Sequence, residues 1–123
     1  MKKTVLIIED NDFMKALLRN LFSSDFEVIC MDNGVDALNW MNKGNIPGLI
    51  ISDIMMPKMD GCELIQNVKG SHFFRNVPMV MLSGLDKSDD RIKCLKLGAD
   101  DFIIKPFNPT ELQIRVSKLL KSA

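Results

Sequence analysis

Apolar residues change period repeatedly along this chain, and each change marks an element. Thr4-Val5-Leu6-Ile7-Ile8 is a short β-branched run, of the kind a strand buried on both faces requires. From Phe13 to Phe22 the period becomes helical, with Met14, Leu17, Leu18 and Leu21 on one side. Glu27–Cys30 reads as a second strand, Asp32-Asn33-Gly34 as a turn, and Val35, Leu38 and Met41 as a helix ended near Gly44. Leu49–Asp53 is a third strand. Leu64, Ile65 and Val68 mark the next helix. Pro78–Leu82 is a fourth strand with proline at its tolerated first position. Ile92 and Leu95 carry a short helix that stops at Gly98, and Asp101–Ile104 is a fifth strand. The last helix has the strongest local signature, with Asn108 as N-cap, Pro109 at the first helical position and Glu111 three after the cap. Its buried stripe is Leu112, Val116, Leu119 and Leu120.

Strands alternating with helices through short connections predict an α/β fold, a parallel sheet with helices on both faces. The 123 residues amount to one domain, 1–123, large enough to fold without staples. Hydrophobic residues make up 46%, which excludes a disordered chain. Sixteen basic and sixteen acidic side chains balance, so nothing global points to nucleic acid or a membrane surface as partner. No apolar run approaches the roughly 20 residues of a membrane span, and the basic start is cut at Glu9-Asp10, against a signal peptide. Cys30, Cys62 and Cys94 are odd in number and widely spaced. They read as reduced thiols of a cytoplasmic protein, not as a disulfide framework or a zinc site.

Polar chemistry falls at strand ends. The first strand ends at Glu9-Asp10, the third at Asp53, the fourth at Ser83 and the fifth at Lys105. The carboxyl ends of parallel strands share one edge of the sheet, where ligands bind. Three carboxylates, a hydroxyl and an ammonium should therefore meet. Each carboxylate pair at ~5 Å costs about 3 kcal/mol at an effective dielectric of about 20. Lys105 alone cannot offset three such pairs, whereas a hard divalent cation such as Mg²⁺ can. Cation and lysine together would hold a phosphoryl group, and a carboxylate can accept one covalently. Taken singly, each of these residues reads as a cap, a turn or a solvated charge.

The segments LIIEDND at 6–12, LIISDIMMPKMDG at 49–61, MVMLSG at 79–84 and GADDFIIKPF at 98–107 carry a resemblance over the whole length. The chain resembles the receiver domain of two-component response regulators, in particular chemotaxis-type regulators. That resemblance implies a flavodoxin-like (βα)5 fold with strand order 2-1-3-4-5. It implies that Asp53 accepts a phosphoryl group from a sensor histidine kinase or histidine phosphotransfer protein. It makes Asp10 a direct Mg²⁺ ligand, Glu9 one through water, and the Met55 carbonyl a further ligand beside Asp53. It gives Ser83 and Lys105 to the phosphoryl oxygens, leaves room at Gly84, makes Lys105-Pro106 a cis bond, and puts Phe102 at the rotating aromatic of a switch with Ser83. The surface of the fourth helix, fifth strand and fifth helix would then change shape for an effector or a second copy. Ile114 lies off its helix's buried stripe and belongs either to such a patch, with Arg115 and the 91–97 helix, or to ordinary surface. Departures from the pattern are mild: Glu-Asp for Asp-Asp, Ser for Thr at 83, and Phe at the switch position, which has no hydroxyl.

Trp40 reads as shielding the second helix and His72 as a solvated loop residue. An enzyme of the haloacid-dehalogenase phosphatase type is the first rival, but it needs an acid where Met55 stands. Nucleotide binding would need glycines in the acidic turn Glu9–Asp12. A phosphorylation-independent interaction module is the second rival, and the intact set of acids, Ser83 and Lys105 argues against it. No DNA-binding segment is present, so no DNA contact is expected of this chain alone.

Overall fold

The computed structural model describes residues 2–84 and 88–121. Along the chain run β1 (Thr4–Ile8), α1 (Asp12–Phe22), β2 (Glu27–Met31), α2 (Gly34–Asn42), β3 (Leu49–Asp53), α3 (Gly61–Lys69), β4 (Met79–Ser83), α4 (Ser88–Leu97), β5 (Asp101–Ile104) and α5 (Pro109–Lys121). All the strands pair in parallel, in the order β2-β1-β3-β4-β5. This is the flavodoxin-like doubly wound arrangement.

The sheet has two buried faces because its inner strands carry unbroken apolar runs, Val5–Ile8, Leu49–Ile51 and Met79–Leu82. Successive side chains point to opposite faces. Leu6, Ile8, Ile50, Met79, Met81 and Phe102 go to one side and pack with Ala37 and Met41 of α2, Leu64, Ile65 and Val68 of α3, and Cys94 of α4. Val5, Ile7, Leu49, Ile51, Val80, Leu82 and Ile103 go to the other, under Leu18 and Phe22 of α1 and Leu112, Val116 and Leu120 of α5. Continuous apolar runs are what such a two-sided strand requires.

Short polar side chains start four of the helices. Asn11 caps α1 by accepting from the Met14 amide at 2.9 Å, Asn33 caps α2 through the Asp36 amide at 2.9 Å, and Asp60 caps α3 through the Glu63 amide at 2.9 Å. Asn108 accepts from the Thr110 and Glu111 amides at 2.9 and 3.2 Å, as its position predicts. Glu111 does not reach back to close a capping box; its carboxylate turns to Arg115, at 2.9 Å. Gly44 and Gly98 follow α2 and α4 with φ of +105° and +116°, the left-handed backbone that ends a helix most cheaply at glycine.

Several expected boundaries move. β2 continues to Met31, and β4 begins at Met79 and includes Ser83. Gly34 belongs to α2, not to a turn, since Asn33 already caps the helix. Leu119 is only half-buried, and Leu120 with Leu112 and Val116 forms the sealed stripe. Ile92 and Leu95, which mark α4 in the sequence, are 48% and 45% exposed, while Cys94 turns inward. Trp40 packs partly buried against the α2–α3 side, and His72 is exposed beside Phe73. Among the described residues no helix is long and apolar enough to cross a membrane.

Candidate functional site

Strand register brings the sequence's polar strand ends to one edge. Ile8 pairs with Ser52, Asp53 with Leu82, and Ser83 with Ile104. Glu9, Asp53, Ser83 and Lys105 are thus the last strand residues, or the first beyond them, on four adjacent strands. Carboxylate oxygens of Glu9, Asp10 and Asp53 lie within 4.8 Å of one another. Glu9 is buried, Asp53 half-buried and Asp10 exposed, so the cluster opens to solvent on the Asp10 side.

Lys105 spans this cluster. Its Nζ donates to Glu9 Oε1 at 2.9 Å and lies 3.2 Å from Asp53 Oδ2. The other Asp53 oxygen, Oδ1, accepts from the Ile54 amide at 3.2 Å. Glu9 Oε2 receives the Asn11 amide at 3.4 Å. Burial pushes the Glu9 carboxyl above its ordinary range; Lys105 pulls it back only in part, and the neighbouring Asp53 adds to the rise. Burial works against the charge on Lys105, but the Glu9 and Asp53 carboxylates together outweigh it and hold the ammonium above its usual range.

Three oxygen donors with one exposed side form a set that a hard divalent cation fits. It would leave most of the ion's coordination sphere to water and to an incoming group. One ammonium against three carboxylates leaves the cluster acidic, which favours that cation further. Met55, 67% exposed, sits on the loop after Asp53.

Ser83 is 3% exposed, and its carbonyl accepts from the Lys105 amide at 2.6 Å, which ties the ends of β4 and β5 together. Gly84 opens to space, since a Cβ built there meets nothing within 4 Å. The Lys105-Pro106 bond is cis. Phe102 is 8% exposed and packs inward in the cluster that contains Met81, Cys94 and Ala99.

One residue behind Asp53 was given no role from sequence. Gly61 starts α3 against the end of β3, and its amide donates to the Ile54 carbonyl at 2.7 Å. A Cβ there would stand 2.8 Å from Ile54 Cα and 3.1 Å from the Asp53 carbonyl oxygen. A glycine at the first position of a helix that follows a functional loop is the signal that invites this reading.

The chain matches the response regulator receiver domain family over residues 5–117. It belongs to that family. The receiver domain is similar to the probable transcriptional regulator ycf27 of Porphyra purpurea, 37% identical over 123 residues that cover 99% of this chain and 49% of that protein. It is similar to histidine kinase P4 of Formosa agariphila, 35% identical over 121 residues that cover 98% of this chain and 9% of that protein. A putative response regulator from Chloroflexus aurantiacus J-10-fl superposes with a TM-score of 0.92 at 30% identity, covering 98% of this chain and 99% of that one. The receiver domain thus spans half or less of the length of these curated relatives. Its setting is two-component phosphorelay signalling, in which this family is the regulatory, phosphate-accepting part.

Proposed function

We propose that this receiver domain accepts a phosphoryl group on Asp53 from a phosphohistidine of a sensor histidine kinase or a histidine phosphotransfer protein. The observation that carries the reading is the placement of Lys105 Nζ between Glu9 and Asp53, at 2.9 and 3.2 Å, within a cluster of three carboxylates. An ammonium so placed is positioned to transfer its contacts to an equatorial phosphoryl oxygen as charge develops there. An Asp53 carboxylate oxygen attacks phosphorus, the P–N bond to the donor imidazole breaks, and the imidazole keeps the bonding pair. Water later attacks the same phosphorus and returns Asp53 as a carboxylate.

Glu9, Asp10, Asp53 and the Met55 carbonyl would hold Mg²⁺, which when bound neutralises phosphoryl charge that Lys105 alone cannot. Ser83, at the end of β4, and the open space at Gly84 receive the new oxygens. The aspartyl phosphate biases a two-state equilibrium, favouring the arrangement in which Ser83 and Lys105 close on the phosphoryl group and Phe102 lies inside. The α4-β5-α5 face carries the output to an effector or a second copy. On it Ile92, Leu95 and Ile114 are exposed and Arg115 binds Asp101 through two 2.9 Å contacts. We place this exchange in the cytoplasm.

The test is intact mass after incubation with Mg²⁺ and acetyl phosphate. Wild type should gain one phosphoryl group and Asp53→Asn none. An unmodified wild type would leave the interaction-module reading in its place.

A further inference from the structure

The sulfurs of Cys62 and Cys94 stand 3.9 Å apart, although the two residues are 32 positions apart in sequence. Cys62 is the second residue of α3 and Cys94 lies within α4, helices that pack side by side. Cys62 is partly exposed and Cys94 fully buried. The phosphate site uses neither. We propose that Cys62 and Cys94 form a modification site, at which a hydroperoxide joins α3 to α4 through an intrachain disulfide.

A disulfide holds its sulfurs at about 2.05 Å, so a gap of about 1.9 Å has to close, shared between two side chains on adjacent helices. Exposure decides the order of events. Cys62, as a thiolate, attacks an oxygen of the hydroperoxide; the O–O bond breaks and Cys62 becomes a sulfenic acid, with an alcohol or water released. The Cys94 sulfur then attacks the Cys62 sulfur. The S–O bond breaks, and the departing hydroxide takes the Cys94 proton as water. Two thiols and one hydroperoxide give one disulfide, one alcohol and one water. Burial, with Cys62 alongside, pushes the Cys94 thiol up to about 12, which keeps it protonated and unreactive until Cys62 is activated next to it. Cys30 packs on the opposite face of the sheet and does not compete.

Cys94 shares its apolar cluster with Phe102 and Met81, so the bridge would tether α4 to α3 at the point where α4 meets the core. The bridge itself needs no phosphate on Asp53, and its test stands apart from that reading.

The experiment treats the reduced full chain with hydrogen peroxide under native conditions, blocks remaining thiols by alkylation, and maps tryptic peptides by mass. The expected product is a monomer lighter by two hydrogens, with Met59–Lys69 joined to Cys94–Lys96, reversed by dithiothreitol. Cys30→Ser should still form the bridge. Cys62→Ser, at a partly exposed position, should fold and lose it. Three free thiols after treatment, a bridge through Cys30, a disulfide-linked dimer, or overoxidised Cys62 without a bridge would each overturn the proposal.

Discussion

Replacing Lys105 by Met tests the electrostatics of the site directly. The change keeps most of the apolar stem and removes the ammonium that lies 2.9 Å from Glu9 and 3.2 Å from Asp53. At an effective dielectric of about 20, each such contact is worth roughly 5 kcal/mol before the cost of desolvating the ions is subtracted. The Glu9 side chain is 2% exposed and that of Asp53 13%, so both stay in place with their charge uncompensated. Removing one partner of a buried pair costs roughly 3–5 kcal/mol. The Lys105 side chain keeps 20% of its exposure, and Glu9 can take up a proton, which brings the expected loss to about 2–3 kcal/mol near neutral pH.

The pH dependence has a definite sign. Burial already raises the Glu9 carboxyl, and without Lys105 it rises further. A folded pKa above the unfolded one means that the native state binds more protons, so stability falls as pH rises through that window. The deficit of Lys105→Met relative to wild type should therefore shrink as the pH is lowered from neutral toward Glu9 protonation. Urea unfolding without divalent cations measures both effects. Adding Glu9→Gln to Lys105→Met should recover about 2 kcal/mol, the signature of a coupled pair. A Lys105→Met protein within about 1 kcal/mol of wild type at neutral pH, or one that Glu9→Gln fails to rescue, would refute the argument.

Three other substitutions separate packing from site chemistry. Gly61→Ala places a Cβ 2.8 Å from Ile54 Cα, backbone that cannot step aside, and 2.8 Å from Met81 Cε. Overpacking should exceed the helix-propensity gain of about 1 kcal/mol and leave a net loss of about 1–2 kcal/mol. Gly84→Ala, with open space around it, should unfold within about 0.5 kcal/mol of wild type in the same urea titration. Asn33→Ala removes the cap on the Asp36 amide and a 3.1 Å bond to the Asp36 carboxylate, at a position 5% exposed. It should lower stability by about 1–2 kcal/mol in chemical denaturation.

Where the sequence was readable, the physics was local or two-sided. A strand buried on both faces needs an unbroken apolar run, and Leu49-Ile50-Ile51 can hardly be anything else. Asn108 before Pro109 announces a helix start because cap and ring conformation act within one turn. The strand-end residues were legible because parallel register turns positions far apart in sequence into one edge. Contacts between helices carried no such mark. Nothing local says that Cys62 and Cys94 meet, since their approach depends on how α3 and α4 lie on the sheet. Nothing local says that Phe102 stands inside, because its ring has both the core and the surface within reach.

The helix α4 was legible in the sequence, but which of its residues face the core was not, for a different reason. Its inward contribution is small, with Cys94 buried, Leu97 half-buried and Ala99 just beyond, while Ile92 and Leu95 point outward. Apolar periodicity assumes that the larger apolar residues seek the core. A helix that reverses this loses burial without gaining anything in its own fold, and such local inconsistencies gather at functional surfaces. The exposed pair on α4 therefore favours the output face of the proposed switch over ordinary surface. Ile114, 51% exposed on α5, departs from its own buried stripe in the same direction.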